Sequence, residues 1–299
     1  MTDADPQRVA CMQGLLADIG QRLASGELVA SEAVCLAVEC MENEPLYNAG
    51  KGSVLDAEGN ISMDASIMRG HDQAAGSVVG LQSSRHPVRA AKRLMENGWP
   101  VMLAGPAGDV FAAENGVEQV EKAWLETQLR RAQWDKWRRE RLRPGATDEE
   151  DALLDHDAEH DGWGTVGAVA LDVHGNLAAA TSTGGMTGKP PGRVGDTPII
   201  GAGTWADKHI AVSCTGVGEA FIRTAAAHAV ASFHQDRSLE SAAEAMLDLV
   251  EPLGGRGGVI AVNQKGEVVM TFRTMLMYRG WYRDGAVDVG IGPSFLQSS

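Results

Sequence analysis

Apolar residues recur at helical spacing early in the chain. Met12, Leu15, Leu16, Ile19 and Leu23 fall on one face of a helix predicted over residues 8–24, with Gly26 as its terminator. Ser31 is expected to cap a second helix whose apolar stripe is Val34, Val38 and Met41. Residues 45–70 lose this periodicity, are rich in glycine, and read as irregular. A short strand is expected around 77–81. A helix with Pro87 in its first turn then runs to Met95, followed by a strand over 101–104 and another helix from about Ala107.

The second half has a different rhythm. Apolar runs over 166–171 and 177–182 read as strands joined by Asp172-Val173-His174-Gly175-Asn176, a hairpin signal. A loop over 184–196 leads to strands expected near 199–202 and 210–214. Helices are predicted at about 219–233 and 239–249, and strands at 259–262 and 268–272. Paired strands alternating with paired helices argue for an α+β fold of antiparallel sheets covered by helices.

Residues 122–161 differ from both halves. The stretch 130–143 is basic and carries Trp134 and Trp137, whereas 148–161 is acidic. Basic residues interleaved with tryptophan are one signature of nucleic-acid binding. The reading adopted is an exposed helix running into a flexible linker, about 130–162. His156 and His160 stand four apart, a spacing that suits a metal on a helix, but no cysteine or HExxH pattern accompanies them.

Composition narrows the function classes. A net charge of −14 over 299 residues disfavours nucleic acid and anionic membrane as partners. No apolar run approaches the ~18 residues of a membrane span, and the polar opening residues contain no secretory apolar core. The four cysteines, Cys11, Cys35, Cys40 and Cys214, lack CxxC spacing and read as reduced core residues of a cytoplasmic protein.

The candidate chemistry begins at Gly164-Thr165, where a hydroxyl residue follows glycine directly before an apolar strand. A cut between them would give Thr165 both a nucleophilic hydroxyl and a free amine to act as its base. An α-amino group with a pKa of roughly 7.7–8 suits that task. Alone, the dipeptide reads first as an ordinary glycine turn opening a strand. Around it, Thr181-Ser182-Thr183-Gly184-Gly185 closes a strand, and Arg193 and Asp196 stand between turn residues. Cys214-Thr215-Gly216-Val217-Gly218-Glu219 runs from a strand through glycines into a helix, where backbone N–H groups can hold an oxyanion. Each piece has a plain alternative: strand polarity, a loop salt bridge between Arg193 and Asp196, a glycine turn. Together they resemble a site for a zwitterion, with a guanidinium for a carboxylate and an aspartate for an ammonium.

These blocks, with Pro45-Leu46-Tyr47-Asn48-Ala49-Gly50 and Met63-Asp64-Ala65 upstream, resemble the plant-type asparaginase/isoaspartyl peptidase family of N-terminal-nucleophile hydrolases. The similarity runs from about residue 8 to residue 282. It implies an αββα four-layer sandwich, made as a precursor and cut into a subunit of residues 1–164 and one of residues 165–299 within one structural domain. A dimer of such heterodimers is also implied. Thr165 would be the nucleophile and Thr183 would steady its protonation. Thr215 and the N–H of Gly216 would form the oxyanion hole, and Asn48 would assist near the cleavage site Gly164/Thr165. Arg193 would take the substrate α-carboxylate and Asp196 its α-amine, with Gly216 and Gly218 lining that pocket. No catalytic cofactor is implied. A structural sodium ion is, on backbone carbonyls of Met41, Glu42, Glu44, Tyr47, Ala49 and Lys51.

Two departures stand out. Family members carry a strand ending in His-Gly-Gly before the first helix, and none precedes it here. The expectation is a sheet lacking that first strand, or a start assigned too far downstream. In Phe272-Arg273-Thr274-Met275-Leu276-Met277, Arg273 and Leu276 replace family residues, so Arg273 either favours an acidic leaving group or faces solvent. The leading function is a self-cleaving β-aspartyl peptidase and asparaginase acting on small β-aspartyl substrates. The alternatives are an aspartylglucosaminidase-like amidase and a relative that never matures.

Overall fold

A computed structural model describes residues 5–141, 164–292 and 295–296. The first predicted helix is α1 (Asp5–Ala24), and Gly26, at φ +78°, turns the chain out of it. Helix α2 (Ala30–Asn43) follows, but Ser31 does not cap it. Ser31 lies inside the helix and is buried, and Val29 at the N-cap offers no side-chain acceptor. The cap is a distant carboxylate, Asp172, whose Oδ2 accepts the Ala30 N–H at 3.0 Å. Helices α3 (Pro87–Asn97) and α4 (Pro106–Glu114) each begin at proline, the first as its sequence suggested and the second one residue before the expected Ala107. A short α5 (Lys122–Leu125) precedes α6 (Gln128–Arg141).

A five-stranded sheet has the order β3-β2-β1-β5-β4. Its members are β1 (Met63–Arg69), β2 (Ala75–Leu81), β3 (Met102–Ala104), β4 (Val166–Leu171) and β5 (Leu177–Thr183). Strand β1 lies at the centre, inside the stretch read as irregular. It is buried almost throughout, so Asp64 and Ser66 interrupt the apolar run without exposing either face. Met63-Asp64-Ala65-Ser66-Ile67 does alternate apolar and polar residues, but the strand stands in a glycine-rich stretch and both of its faces are buried.

A second, antiparallel sheet has the order β6-β7-β8-β9, from β6 (Thr204–Ala206), β7 (Ile210–Gly216), β8 (Gly257–Asn263) and β9 (Val268–Phe272). No strand forms at 199–202. The amides there close turns instead, with Ile199 N–H donating to the Asp196 carbonyl and Ala202 N–H to that of Ile199. The single helix expected over 219–233 is two: α7 (Gly218–Thr224) and α8 (Ala226–His234). Ala225, at φ +48°, breaks the run. Helix α9 (Leu239–Val250) follows, capped by Ser238. A small sheet not expected from the sequence, β10 (Arg279–Arg283), β11 (Ala286–Gly290) and β12 (Phe295–Leu296), packs against α1.

Helices α2 and α3 cover one face of the five-stranded sheet, and α8 and α9 contact the second sheet. Strands β4 and β5 face β7 and β8. The inter-sheet contact is partly polar. Ser66 donates to Thr204 at 2.7 Å, and the Thr181 hydroxyl lies 2.5 Å from that of Thr204 and 2.8 Å from that of Ser213. Glu42 ties α2 to β5 and α3, accepting from the Ser182 hydroxyl at 2.6 Å and the Val88 N–H at 3.0 Å. The protein is thus a mixed α+β fold in which both sheets bring strand ends to one side.

The basic stretch is helical but docked. Trp134 is buried in α6 and donates its indole N–H to the Asp56 carbonyl at 2.7 Å, and Arg130 is buried with Nε donating to the Gly52 carbonyl at 2.6 Å. Trp137 fills the space beside Gly188, where no Cβ would fit. The exposed helix expected there is therefore only half right, and His156 and His160 lie outside the described residues. Three cysteines are buried or half-buried, but Cys40 is exposed, contrary to the core role expected for all four.

Candidate active site

Strands β4 and β5 pair antiparallel with Val166 opposite Ser182, so one further step sets Thr165 opposite Thr183. Thr165 immediately precedes β4 and is half-buried, and Thr183 ends β5 with its hydroxyl accepting the Gly185 N–H at 3.0 Å. The second sheet supplies Thr215 and Gly216 from the end of β7. Gly216 has φ +153°, and a side chain there would strike the Arg256 carbonyl. Gly164 has φ +138°, and its missing Cβ would lie 3.4 Å from the Thr215 hydroxyl oxygen. The candidate cut site and the candidate oxyanion hole are therefore neighbours in the uncut chain.

Thr165, Thr183, Thr215, Gly216, Arg193 and Asp196 all line one cavity of about 540 Å³. Helix α1, β4, β9 and β10 supply its apolar walls, among them Leu16, Val169, Met270 and Trp281. Asn48 and Gly218 do not line it. Asn48 braces the turn after Thr183: its amide donates to the Gly185 carbonyl at 2.7 Å and its backbone carbonyl accepts the Gly184 N–H at 2.8 Å. Gly218 lies against Asp196, whose backbone nitrogen and Oδ1 are 2.9 and 3.0 Å from where a Cβ would sit.

Arg193 and Asp196 do not form the loop salt bridge that their spacing allowed. Arg193 instead grips Glu219 by two parallel bonds, Nε to Oε1 at 2.9 Å and Nη2 to Oε2 at 2.9 Å. Asp196 is 4% exposed, and its buried Oδ2 has no hydrogen-bond partner among the described residues. Burial pushes its carboxyl up to about 7, against the pull of its own backbone N–H and of Arg193. A buried carboxylate without a partner on the wall of a cavity is suited to a cation brought in by a ligand.

Behind the loop, Asp64 is also buried and accepts the Gly80 N–H at 2.8 Å. Burial raises its carboxyl, opposed by Lys189 and by the N–H groups of Gly80 and Gly195. Lys189, held below its usual range by burial, donates to the Ser62 carbonyl at 2.6 Å. Sequence reading quoted Asp64 and Glu219 inside motifs but assigned neither a task. Their partners are distant in the chain, and no local pattern announces them.

No group of three or more His, Cys, Asp or Glu side chains suited to a metal occurs among the described residues. The carbonyl loop is a separate question. The Glu42 carbonyl accepts the Lys51 N–H at 2.8 Å and that of Glu44 accepts the Tyr47 N–H at 3.1 Å. The Pro45 and Tyr47 oxygens both crowd Gly52, at 2.5 and 2.7 Å from its missing Cβ. Among the six candidate carbonyls, those of Glu42 and Glu44 therefore already accept backbone hydrogen bonds. No described helix is long and apolar enough to cross a membrane.

The asparaginase family model matches residues 4–291. A protein of Escherichia coli (strain K12) named isoaspartyl peptidase is 43% identical over 274 residues, covering 89% of this chain and 83% of that protein. An isoaspartyl peptidase/L-asparaginase of Mus musculus is 41% identical over 266 residues, covering 88% and 78%. One of Bos taurus, with the same name, is 40% identical over 285 residues, covering 93% and 89%.

Proposed function

The chain belongs to the asparaginase family, and on that premise we propose that it is a self-cleaving threonine hydrolase. It removes N-terminal β-aspartyl groups from isoaspartyl dipeptides and deamidates L-asparagine. The observation that carries this reading is the buried Asp196 oxygen without a partner, on the same cavity wall as Arg193 and three threonines.

The chemistry follows from those groups. Cleavage after Gly164 frees the Thr165 amine. That amine takes the Thr165 hydroxyl proton as the oxygen attacks the β-carbonyl carbon of the substrate. The Thr215 hydroxyl and the Gly216 N–H hold the negative oxygen that results. The amine then returns the proton to the departing nitrogen as the C–N bond breaks, leaving a β-aspartyl ester on Thr165. Water, deprotonated by the same amine, attacks the ester and releases aspartate, restoring the hydroxyl. Thr183 steadies the Thr165 hydroxyl, and Asn48 acts by holding the turn after Thr183. Arg193 receives the α-carboxylate and Asp196 the α-ammonium, with Gly218 keeping that corner open.

The finer fold belongs to the same reading: a four-layer helix–sheet–sheet–helix sandwich in which the open edge of β4, facing the cavity, can accept a further strand. So do residues 1–164 and 165–299 as the two subunits, and their assembly as a dimer of heterodimers. A sodium ion on the carbonyls of Met41, Glu42, Glu44, Tyr47, Ala49 and Lys51 would stiffen the loop that carries Asn48. No cofactor takes part in the reaction.

An intact-mass spectrum of the purified protein and of Thr165→Ala tests the proposal. Two fragments, the second beginning at Thr165 and absent from the variant, are expected, with β-aspartyl dipeptide hydrolysis in the cut protein. An uncut chain in both samples would sink it.

A further inference from the structure

The three threonines of the site stand at strand ends, and residues two apart in a strand face the same way. Two positions inward from Thr183 is Thr181, from Thr215 is Ser213, and from Thr165 is Gly167. Gly167 and Ser66 each pair with Thr181 in the five-stranded sheet, and Thr204 pairs with Ser213 in the second sheet. A second layer therefore lies one step beneath the threonines, with members on both sheets.

That layer is a chain of hydroxyls across the sheet contact. Ser213 lies 2.8 Å from Thr181, Thr181 lies 2.5 Å from Thr204, and the Ser66 hydroxyl, 2.7 Å from that of Thr204, also reaches the Thr197 carbonyl at 2.6 Å. The Ser213 hydroxyl occupies the notch left by Gly167, where a Cβ would collide with it. Ser213 borders the floor of the cavity, whereas Thr181 is wholly buried and does not line it. Packed sheets usually stand roughly 10 Å apart. Two side chains as short as serine and threonine, joined by one hydrogen bond, cannot span that distance, so β7 is drawn toward β4 and β5 directly beneath the site.

Resting on the function proposed above, we infer that Ser213 is a positioning residue for the threonine cluster. Through its bond to Thr181 it sets how far Thr215, on one sheet, stands from Thr165 and Thr183 on the other. The reacting carbonyl must be reached from both sheets at once, by the Thr165 oxygen and by the oxyanion donors at Thr215 and Gly216, so the barrier depends on that gap. The Ser66 end of the layer, which holds the Thr197 carbonyl beside Asp196, is untouched by a change at Ser213.

Steady-state hydrolysis of β-Asp-Ala by the fully cut protein tests this. Ser213→Ala is expected to lower kcat about tenfold or more and to leave KM within about twofold, because a small misplacement costs rate before it costs binding. Thr181→Val should lower kcat similarly, Thr181→Ser should recover most of it, and the Ser213→Ala/Thr181→Val double variant should lose little beyond either single one. Should Ser213→Ala not fold, Thr181→Val and Thr181→Ser carry the comparison. A kcat for cut Ser213→Ala equal to that of the wild type, with only a lowered melting temperature, would overturn the inference alone. So would equal losses in Thr181→Ser and Thr181→Val. A cut wild type that hydrolyses no β-aspartyl substrate would instead overturn the proposed function.

Discussion

The Oδ2 atom of Asp172 caps helix α2 at Ala30, across 142 positions of sequence. The same carboxylate accepts the N–H groups of His174 and Asn176, both at 2.9 Å, so it closes the β4–β5 hairpin as well. Strand β4 begins directly after the candidate nucleophile, and α2 leads into the loop that carries Asn48. One buried side chain thus fixes the strand and the helix that set the two sides of the threonine cluster.

Removing it should destabilise the fold. Asp172→Ala leaves three N–H groups without their acceptor and is expected to cost about 1–3 kcal/mol in urea unfolding. Burial opposes ionisation of Asp172, but the N–H groups of Ala30, Asn176 and His174 outweigh it and hold the carboxyl below its ordinary range. Its contribution is therefore full above the unfolded pKa of roughly 3.9 and is lost as pH falls through the lower folded value. The stability gap between wild type and variant should close in acid. A gap that persists at low pH would argue against the capping role.

Asp196 should behave in the opposite sense. Burial raises it to about 7, with Glu219 and Asp64 adding to the rise and Arg193 opposing it. Between about pH 4 and its folded value, the folded protein holds a proton that the unfolded chain has lost. The stability of the neutral form is thus full in acid and is lost as pH rises through about 7. Asp196→Asn is expected to melt higher than wild type at pH 8 while losing L-aspartate binding. In the wild type, that binding should weaken as pH falls below about 7. Melting curves and calorimetry across this range check both. Equal melting at pH 8 would mean the carboxylate is better solvated than its burial implies.

Arg273 faces neither solvent alone nor the leaving group. It joins the end of β9 to α9, bonding Glu244 at 3.0 Å, Asp248 at 2.5 Å and Glu251 at 2.7 Å, and it does not line the cavity. Its partners are exposed, so Arg273→Ala should cost about 1 kcal/mol or less and lose that effect in high salt. The rates for β-aspartyl dipeptides ending in glutamate and in lysine should keep their ratio within about twofold, since surface pairs act only locally. A marked shift in that ratio would return Arg273 to the substrate.

Much of this was legible in the chain because local rules and tertiary packing agree. Pro87 marks a helix start, and the 172–176 turn joins its two strands as the hairpin signal requires. The reading faltered where the cause lies far away in sequence. The cap of α2 comes from Asp172, so Ser31 was a false signal of the correct helix. Strand β1 was missed although Met63–Ile67 alternates apolar and polar residues, because it stands in a stretch whose glycines read as irregular. Ala225 breaks a helix that propensity would continue, with an alanine in a left-handed conformation that only tertiary packing can hold. Within the site, the residue types were visible but their pairing was not. Arg193 and Asp196 stand three apart, yet the guanidinium bonds Glu219, 26 positions on.

Gly164 offers the most direct probe of maturation. Its φ of +138° lies where an L-residue is strained, while its missing Cβ would meet only the Thr215 hydroxyl, at the ordinary contact distance of 3.4 Å. Backbone conformation, not space, is therefore what Gly164→Ala would change. Restoring an unstrained φ would reorient the Gly164–Thr165 peptide, the bond proposed to be cut. A strain of about 1–3 kcal/mol spent on keeping the native turn, or a misplaced carbonyl, should slow cleavage about tenfold or more. Gly14→Ala is the matching control, because Gly14 lies inside α1 with nothing near its missing Cβ. That variant should gain about 1 kcal/mol of helix stability and cleave at the wild-type rate. Time courses of fragment formation on denaturing gels separate the two. If Gly164→Ala matures as fast as Gly14→Ala, the left-handed turn before Thr165 is incidental to the cut.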